Sequence, residues 1–251
     1  MLVKKHNLFA GVIAAMTLLT IGTANAQTPT FGVQAIANTS GYNGTYPDNP
    51  GPVMGGKSAS AASDPAGLQY NNGYGLVYGD AGAHANAYTH SLYANVDAYA
   101  DRITATAFPN SSPAGDTESR YWDYITVRSG SLPNGTVVEV VFRNAHITNW
   151  NASGVYSGSV YSEIKVGGYS ASTNSKMDST WGTTEVPGPE LRARLTVGSR
   201  YSLQSKLRLY GRAFYFTQGP IYDGVIHIDT TSNVEMDPLG QDVTLQFDSD
   251  L

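Results

Sequence analysis

The chain has 251 residues, carries fifteen Lys and Arg against twenty Asp and Glu for a formal net charge of −5, and contains no cysteine. An acidic balance argues against nucleic acid as a partner, because phosphate binding needs a basic stripe. The lack of cysteine excludes a disulfide-stapled scaffold and leaves stability to an ordinary hydrophobic core.

Lys4 and Lys5 precede an uncharged apolar run from Leu8 to Ile21, which closes on the small-x-small pattern Ala24-Asn25-Ala26. That order is the pattern of a secretory signal peptide over residues 1–26. The apolar run is shorter than the roughly 20 residues a spanning helix needs. The mature chain is therefore expected to start near Gln27, to be exported to the periplasm, cell surface or medium of a bacterium, and to carry no transmembrane segment. Without Lys4 and Lys5 the thirteen remaining basic residues face twenty acidic ones, a net charge of −7.

Residues 27–82 are rich in Gly, Pro, Ser and Asn, with Tyr42-Asn43-Gly44 and Asp48-Asn49-Pro50-Gly51 as turn signals. They are expected to be irregular, with at most short strands such as one at Phe31 to Ile36. From residue 83 the pattern changes to that of a β-sandwich domain. Leu92, Ala94, Val96, Ala98 and Ala100 alternate with polar neighbours; alanine also favours helix, but the Thr, Tyr and Val content and the period of two predict strand. Two further runs, Tyr121–Arg128 and Val137–Arg143, have the same period, and the Ser129–Thr136 connector between them, with Pro133 and Asn134-Gly135, reads as a loop slightly long for a tight hairpin.

Val155–Val166 reads as a pair of short strands, and residues 167–189 as a long polar loop carrying Trp181. Leu191–Val197 and Tyr201–Tyr215 alternate most regularly, with Arg192, Arg194, Lys206, Arg208 and Arg212 placed as a solvent face. Ile226 and Ile228, then Val243, Leu245 and Phe247 after the turn Asp237-Pro238-Leu239-Gly240, close the series. Many short strands with Gly/Pro turns and no amphipathic helix predict an all-β, antiparallel two-sheet sandwich of jelly-roll type.

Signatures of catalysis are missing. There is no His-Glu-x-x-His, no Gly-x-Ser-x-Gly, no phosphate loop and no EF-hand. His84 and His90 are six residues apart, about 20 Å along one strand, too far to share a metal. Glu139 sits among valines but is expected to face solvent, and nothing pairs it with the second acid a glycosidase requires. A structural Ca²⁺ held by loop carboxylates such as Asp223 and Asp237 is the one cofactor the acidic turns suggest. Tyrosine and tryptophan outside the regular core, Tyr74, Tyr88, Trp150, Trp181 and Tyr222, offer rings for stacking on sugars, although tyrosine is also an ordinary strand residue.

The run SRYWDYITVRSGSLPNGTVVEVVF, followed by LTVGSRYSLQSKLRLYGRAF and by YDGVIHIDTTSNVEMDPLGQDVTLQFDSDL, resembles the body of bacterial exported proteins of the PEP-CTERM class. The shared features are an aromatic-x-Asp opening strand, a Leu-Pro-x-Gly-Thr turn, a Val-Gly-x-x-Tyr strand and a closing Asp-Pro-x-Gly turn, spread over about half the chain. The class is named for a C-terminal Pro-Glu-Pro motif, an apolar helix and basic residues; here the sequence ends Asp248-Ser249-Asp250-Leu251, so the resemblance carries no sorting inference. It supplies no catalytic residues either. The expected function is that of a secreted or envelope-associated structural or interaction protein that binds extracellular polysaccharide, with a secreted carbohydrate-active enzyme on a jelly roll as the alternative.

Overall fold

In the computed structural model, described for residues 31–40, 53–55, 58–63, 76–86, 91–101, 114–178, 186–214 and 224–250, antiparallel strands build two sheets. The strands are β1 (Gly32–Ser40), β2 (Val53–Gly55), β3 (Ser58–Ser63), β4 (Leu76–Asn86), β5 (Ser91–Asp101), β6 (Ala114–Arg128), β7 (Val137–Ser153), β8 (Val155–Val166), β9 (Tyr169–Asp178), β10 (Glu190–Thr196), β11 (Arg200–Phe214), β12 (Gly224–Asp237) and β13 (Thr244–Phe247), before a 3₁₀ turn at Asp248–Asp250. One sheet runs β2-β1-β6-β11-β8-β9, with β13 also paired to β6; the other runs β10-β7-β12-β5-β4-β3. Among the described residues no helix is long and apolar enough to cross a membrane.

Eight of these strands form a jelly roll whose logic is that of one rolled ribbon. From the β8–β9 turn outward, β8 pairs with β9, β7 with β10, β6 with β11 and β5 with β12. The ribbon closes on itself through β8–β11 and β7–β12. Where it passes from one sheet to the other its hydrogen bonds continue: Gly198 N donates to Val127 O at 2.8 Å, and Val197 N to Thr136 O at 2.9 Å. The two connectors thus turn the corner together, which keeps their backbone groups satisfied.

The core lies between the sheets and follows from the period of two. Leu92, Ala94, Val96 and Ala98 on β5, Tyr121, Ile125 and Val127 on β6, and Leu203, Leu207 and Leu209 on β11 are all buried. Gly158 and Gly211 are register partners facing this core. A Cβ at Gly158 would come within 2.6 Å of Ile226 Cδ1, and one at Gly211 within 2.7 Å of Val96 Cγ1, so the missing side chains let the facing aliphatics close the gap.

Several polar residues inside the sandwich are paired across it, although Thr117 Oγ1 and Ser232 Oγ are buried without a partner among the described residues. Asn144 on β7 donates to Ser162 Oγ on β8 at 2.9 Å and accepts from Ser205 Oγ on β11 at 3.1 Å. Ser119 Oγ on β6 donates to the Tyr93 carbonyl of β5 at 2.6 Å. These bonds tie one sheet to the other and answer the desolvation that burial imposes.

Four expectations need correction. Residues 27–82 are not merely irregular: β1 pairs with β6 from Gly32 to Ser40, Val33 and Ala35 are fully buried in the common core, and the expected boundary at residue 83 falls inside β4. The Gly/Pro punctuation is real, but short runs between the turns suffice to add strands to exposed sheet edges. Secondly, β6 and β7 are not partners; the Ser129–Thr136 connector crosses between sheets. Thirdly, Val155–Val166 is one strand. Lastly, residues 167–189 contain β9, joined to β8 by Gly167-Gly168 with Gly167 at φ +55°, a two-residue hairpin turn. Strand β9 reads as a loop because it is the polar edge of its sheet.

Candidate functional site

On the outer side of the seven-stranded sheet, alternation brings charged and aromatic side chains into rows. Gln34, Arg120, Lys206 and Glu163 are register partners across β1, β6, β11 and β8; beside them Gly32, Trp122, Gln204 and Lys165 form the next row. These two rows line a groove of about 400 Å³. A second hollow of about 370 Å³, lined by Ser159, Tyr161, Asn174, Lys206, Arg208 and Tyr210, shares Lys206 with the first.

Trp122 is the groove's aromatic floor. Its six-membered ring sits over Gly32, where a Cβ would lie 2.4 Å from Cζ2, so glycine opposite tryptophan allows the indole to lie on the sheet. Tyr161 is two strands and four residues of register away, about 16 Å from a strand spacing of about 4.8 Å and a rise of about 3.3 Å. That span suits a short oligosaccharide rather than a single ring.

Carboxylates in this region are held by cations. Glu118, nearly buried, is bound by Arg120 and by Lys206 Nζ, the latter at 2.6 Å. Burial works to raise its pKa, but hydrogen bonds from Lys206 and Arg120 outweigh that and keep the carboxyl below the usual glutamate range. Asp116 receives Arg208 through Nε at 2.8 Å and Nη2 at 2.5 Å, and Glu163 receives Lys165 at 2.9 Å. Lys206 also lies 5.7 Å from the centre of the Tyr161 ring, and Arg200 lies 4.0 Å from that of Tyr124.

The two outer faces differ in charge. On the seven-stranded sheet the outward positions of β6, β8, β9 and β11 hold Arg120, Arg128, Lys165, Lys176, Arg200, Lys206, Arg208 and Arg212 against Asp116, Glu118 and Glu163, with Asp248 beside Arg200. On the six-stranded sheet β5, β7, β10 and β12 hold Arg143, Arg192 and Arg194 against Asp97, Glu139, Glu190, Asp229, Glu235 and Asp237. Burial, and then the nearby Asp229 and Asp97, raise the pKa of Tyr93 on that acidic side.

Sequence reasoning singled out other residues. Trp150 is half-buried against the core, edge-on to Tyr156 with ring centres 6.1 Å apart, so its ring closes the interior near the β7–β8 turn. Asp237 accepts the Leu239 amide at 2.8 Å and so holds the turn in which Leu239 takes φ +54°. Tyr74, Tyr88, Trp181, Tyr222 and Asp223 lie outside the described residues. Among the described residues no three His, Asp or Glu side chains gather as a metal site. Glu139 faces solvent as expected, 3.4 Å from Arg192.

Comparison with known proteins adds no relative: no protein-family model matches the chain, and no curated protein matches it. The site therefore stands on its geometry. Trp122 was missed in the sequence, yet its signal was there, since Tyr124, Thr126 and Arg128 mark the outward side of β6 and Trp122 continues it. A partly exposed tryptophan on the polar side of an amphipathic strand is the kind of aromatic that serves recognition.

Asp123, the Asp of the aromatic-x-Asp opening strand, is 1 % exposed and points inward. It accepts from Tyr121 Oη at 3.1 Å, from Ser249 Oγ at 2.6 Å and from the Tyr124 amide at 2.7 Å, which seats the 3₁₀ turn against β6. His146 is half-buried, with its ring nitrogens shielded from solvent. Its ring nitrogens have no hydrogen-bond partner in good geometry among the described residues, and burial lowers its pKa against a smaller pull from the Val186 backbone.

Proposed function

We propose that this is an exported bacterial envelope or matrix protein that binds a polysaccharide chain along the outer face of its seven-stranded sheet. The observation that carries the reading is the groove over Trp122, where a ring laid on Gly32 is flanked by Gln34, Gln204, Arg120 and Lys206. Sugar rings present C–H faces that stack on an indole and hydroxyls that hydrogen-bond to amides and fixed charges. The signal-peptide pattern of residues 1–26 and the likeness to the PEP-CTERM class support the extracellular setting.

Binding fits the face better than catalysis. Glycoside hydrolysis needs a carboxylic acid that stays protonated to donate. Glu118, the most buried carboxyl of this face, is held ionised by two cations.

Affinity electrophoresis of the full mature protein through gels containing soluble polysaccharides tests the reading. Retardation by at least one polysaccharide is expected, weakened about five- to thirtyfold in Trp122→Ala, since loss of one stacked aromatic in a binding site removes on the order of 1–2 kcal/mol. Circular dichroism of the variant should match the parent. A folded Trp122→Ala protein retarded as strongly as the parent overturns the assignment of the site.

A further inference from the structure

We infer that the polysaccharide is acidic, and that the sheet's positive outer face selects a carboxylate-bearing chain over a neutral one. This rests on the proposed polysaccharide site and goes beyond it by naming the charge of the ligand.

The chain as a whole is acidic, at −5. Yet its outward charges are sorted by sheet: among the described residues, basic positions outnumber acidic ones on β6, β8, β9 and β11 even with Asp248, the partner of Arg200, counted in, and the balance reverses on the other sheet. Within the groove, Arg120 and Lys206 share the single carboxylate of Glu118, which leaves one positive charge over at the centre. Lys165, about half exposed and in the same row as Trp122, is paired with Glu163 at 2.9 Å, so the groove as a whole keeps that one surplus positive charge. A neutral glycan has no use for a surplus that costs self-repulsion; a uronate chain meets it with carboxylates at intervals along its length. The acidic sheet behind would repel the same chain, so the polymer is confined to one side of the sandwich.

The attraction between exposed charges is screened over about 8 Å at physiological ionic strength, so selection should fade as salt rises. The probes are polygalacturonate and its methyl ester, which share a backbone and differ in charge, together with a single-stranded DNA oligonucleotide. In low salt the full mature protein should bind polygalacturonate about tenfold more tightly than the ester, a ratio that falls toward one in molar salt. The double variant Lys165→Gln and Lys176→Gln should narrow that ratio while its thermal melt stays close to the parent's.

Equal binding to the two polymers, still sensitive to Trp122→Ala, would overturn the charge selection and leave the polysaccharide site standing. Binding to neither polymer overturns both. DNA held as tightly as polygalacturonate would make the face a general polyanion surface, which also overturns the inference.

Discussion

Trp122 and Asp123 are adjacent in the chain, yet β6 sends the indole outward over Gly32 and the carboxyl inward to Ser249 and Tyr121. The period of two in this strand was legible, and it correctly separated Ile125 and Val127 from Tyr124 and Thr126. What could not be read was the partner of Asp123, because Ser249 lies 126 residues away and no local pattern announces it. Glu118 gives the residue scale a test. Its folded pKa is depressed, so its contribution to stability is fully present above the ordinary glutamate pKa and is lost as pH falls through the folded value. Chemical denaturation of Glu118→Gln should show lower stability than the parent at pH 7 and a shallower decline below about pH 4.3. An unchanged acid limb would mean that Lys206 and Arg120 do not hold this carboxyl in solution.

At the scale of elements, alternation located β5, β6, β10, β11 and β12, whose inward residues are aliphatic. It failed for β9, where Ser170, Ser172 and Asn174 stand on an edge and the Gly167-Gly168 turn was the only mark of a hairpin. It also failed for β1, whose nine residues pair with β6 although turn-rich sequence surrounds them. Pairing between sheets depends on contacts distant in sequence, so β6 and β7 looked like neighbours when their true partners are β11 and β12. Asn144 is the element-scale bond across the sandwich. Asn144→Ala would leave Ser162 and Ser205 short of partners in a dry interior, and urea denaturation is expected to show a loss of about 1–3 kcal/mol. A change within a few tenths of a kcal/mol would show that the Asn144 bonds contribute nothing net to holding the two sheets together.

For the molecule as a whole, the antiparallel jelly roll creates two outer faces from one ribbon, and the sequence distributes charge between them unequally. Reading the fold class from strand spacing and turns was possible because those signals are local. The candidate site was harder, since Gln34, Trp122, Lys165 and Lys206 come from four strands and meet only when β1, β6, β11 and β8 stand side by side. Runs such as Arg192-Ala193-Arg194 and Lys206-Leu207-Arg208 look alike in the chain, but the first belongs to the acidic-rimmed sheet and the second to the sheet that carries the groove. The most direct measurement is lysine footprinting by acetylation and mass spectrometry of the full mature protein, with and without polygalacturonate in low salt. Lys165, Lys176 and Lys206 are expected to lose reactivity when the polymer binds; unchanged reactivity at these three lysines under conditions of demonstrated binding would contradict the assignment of the site to this face.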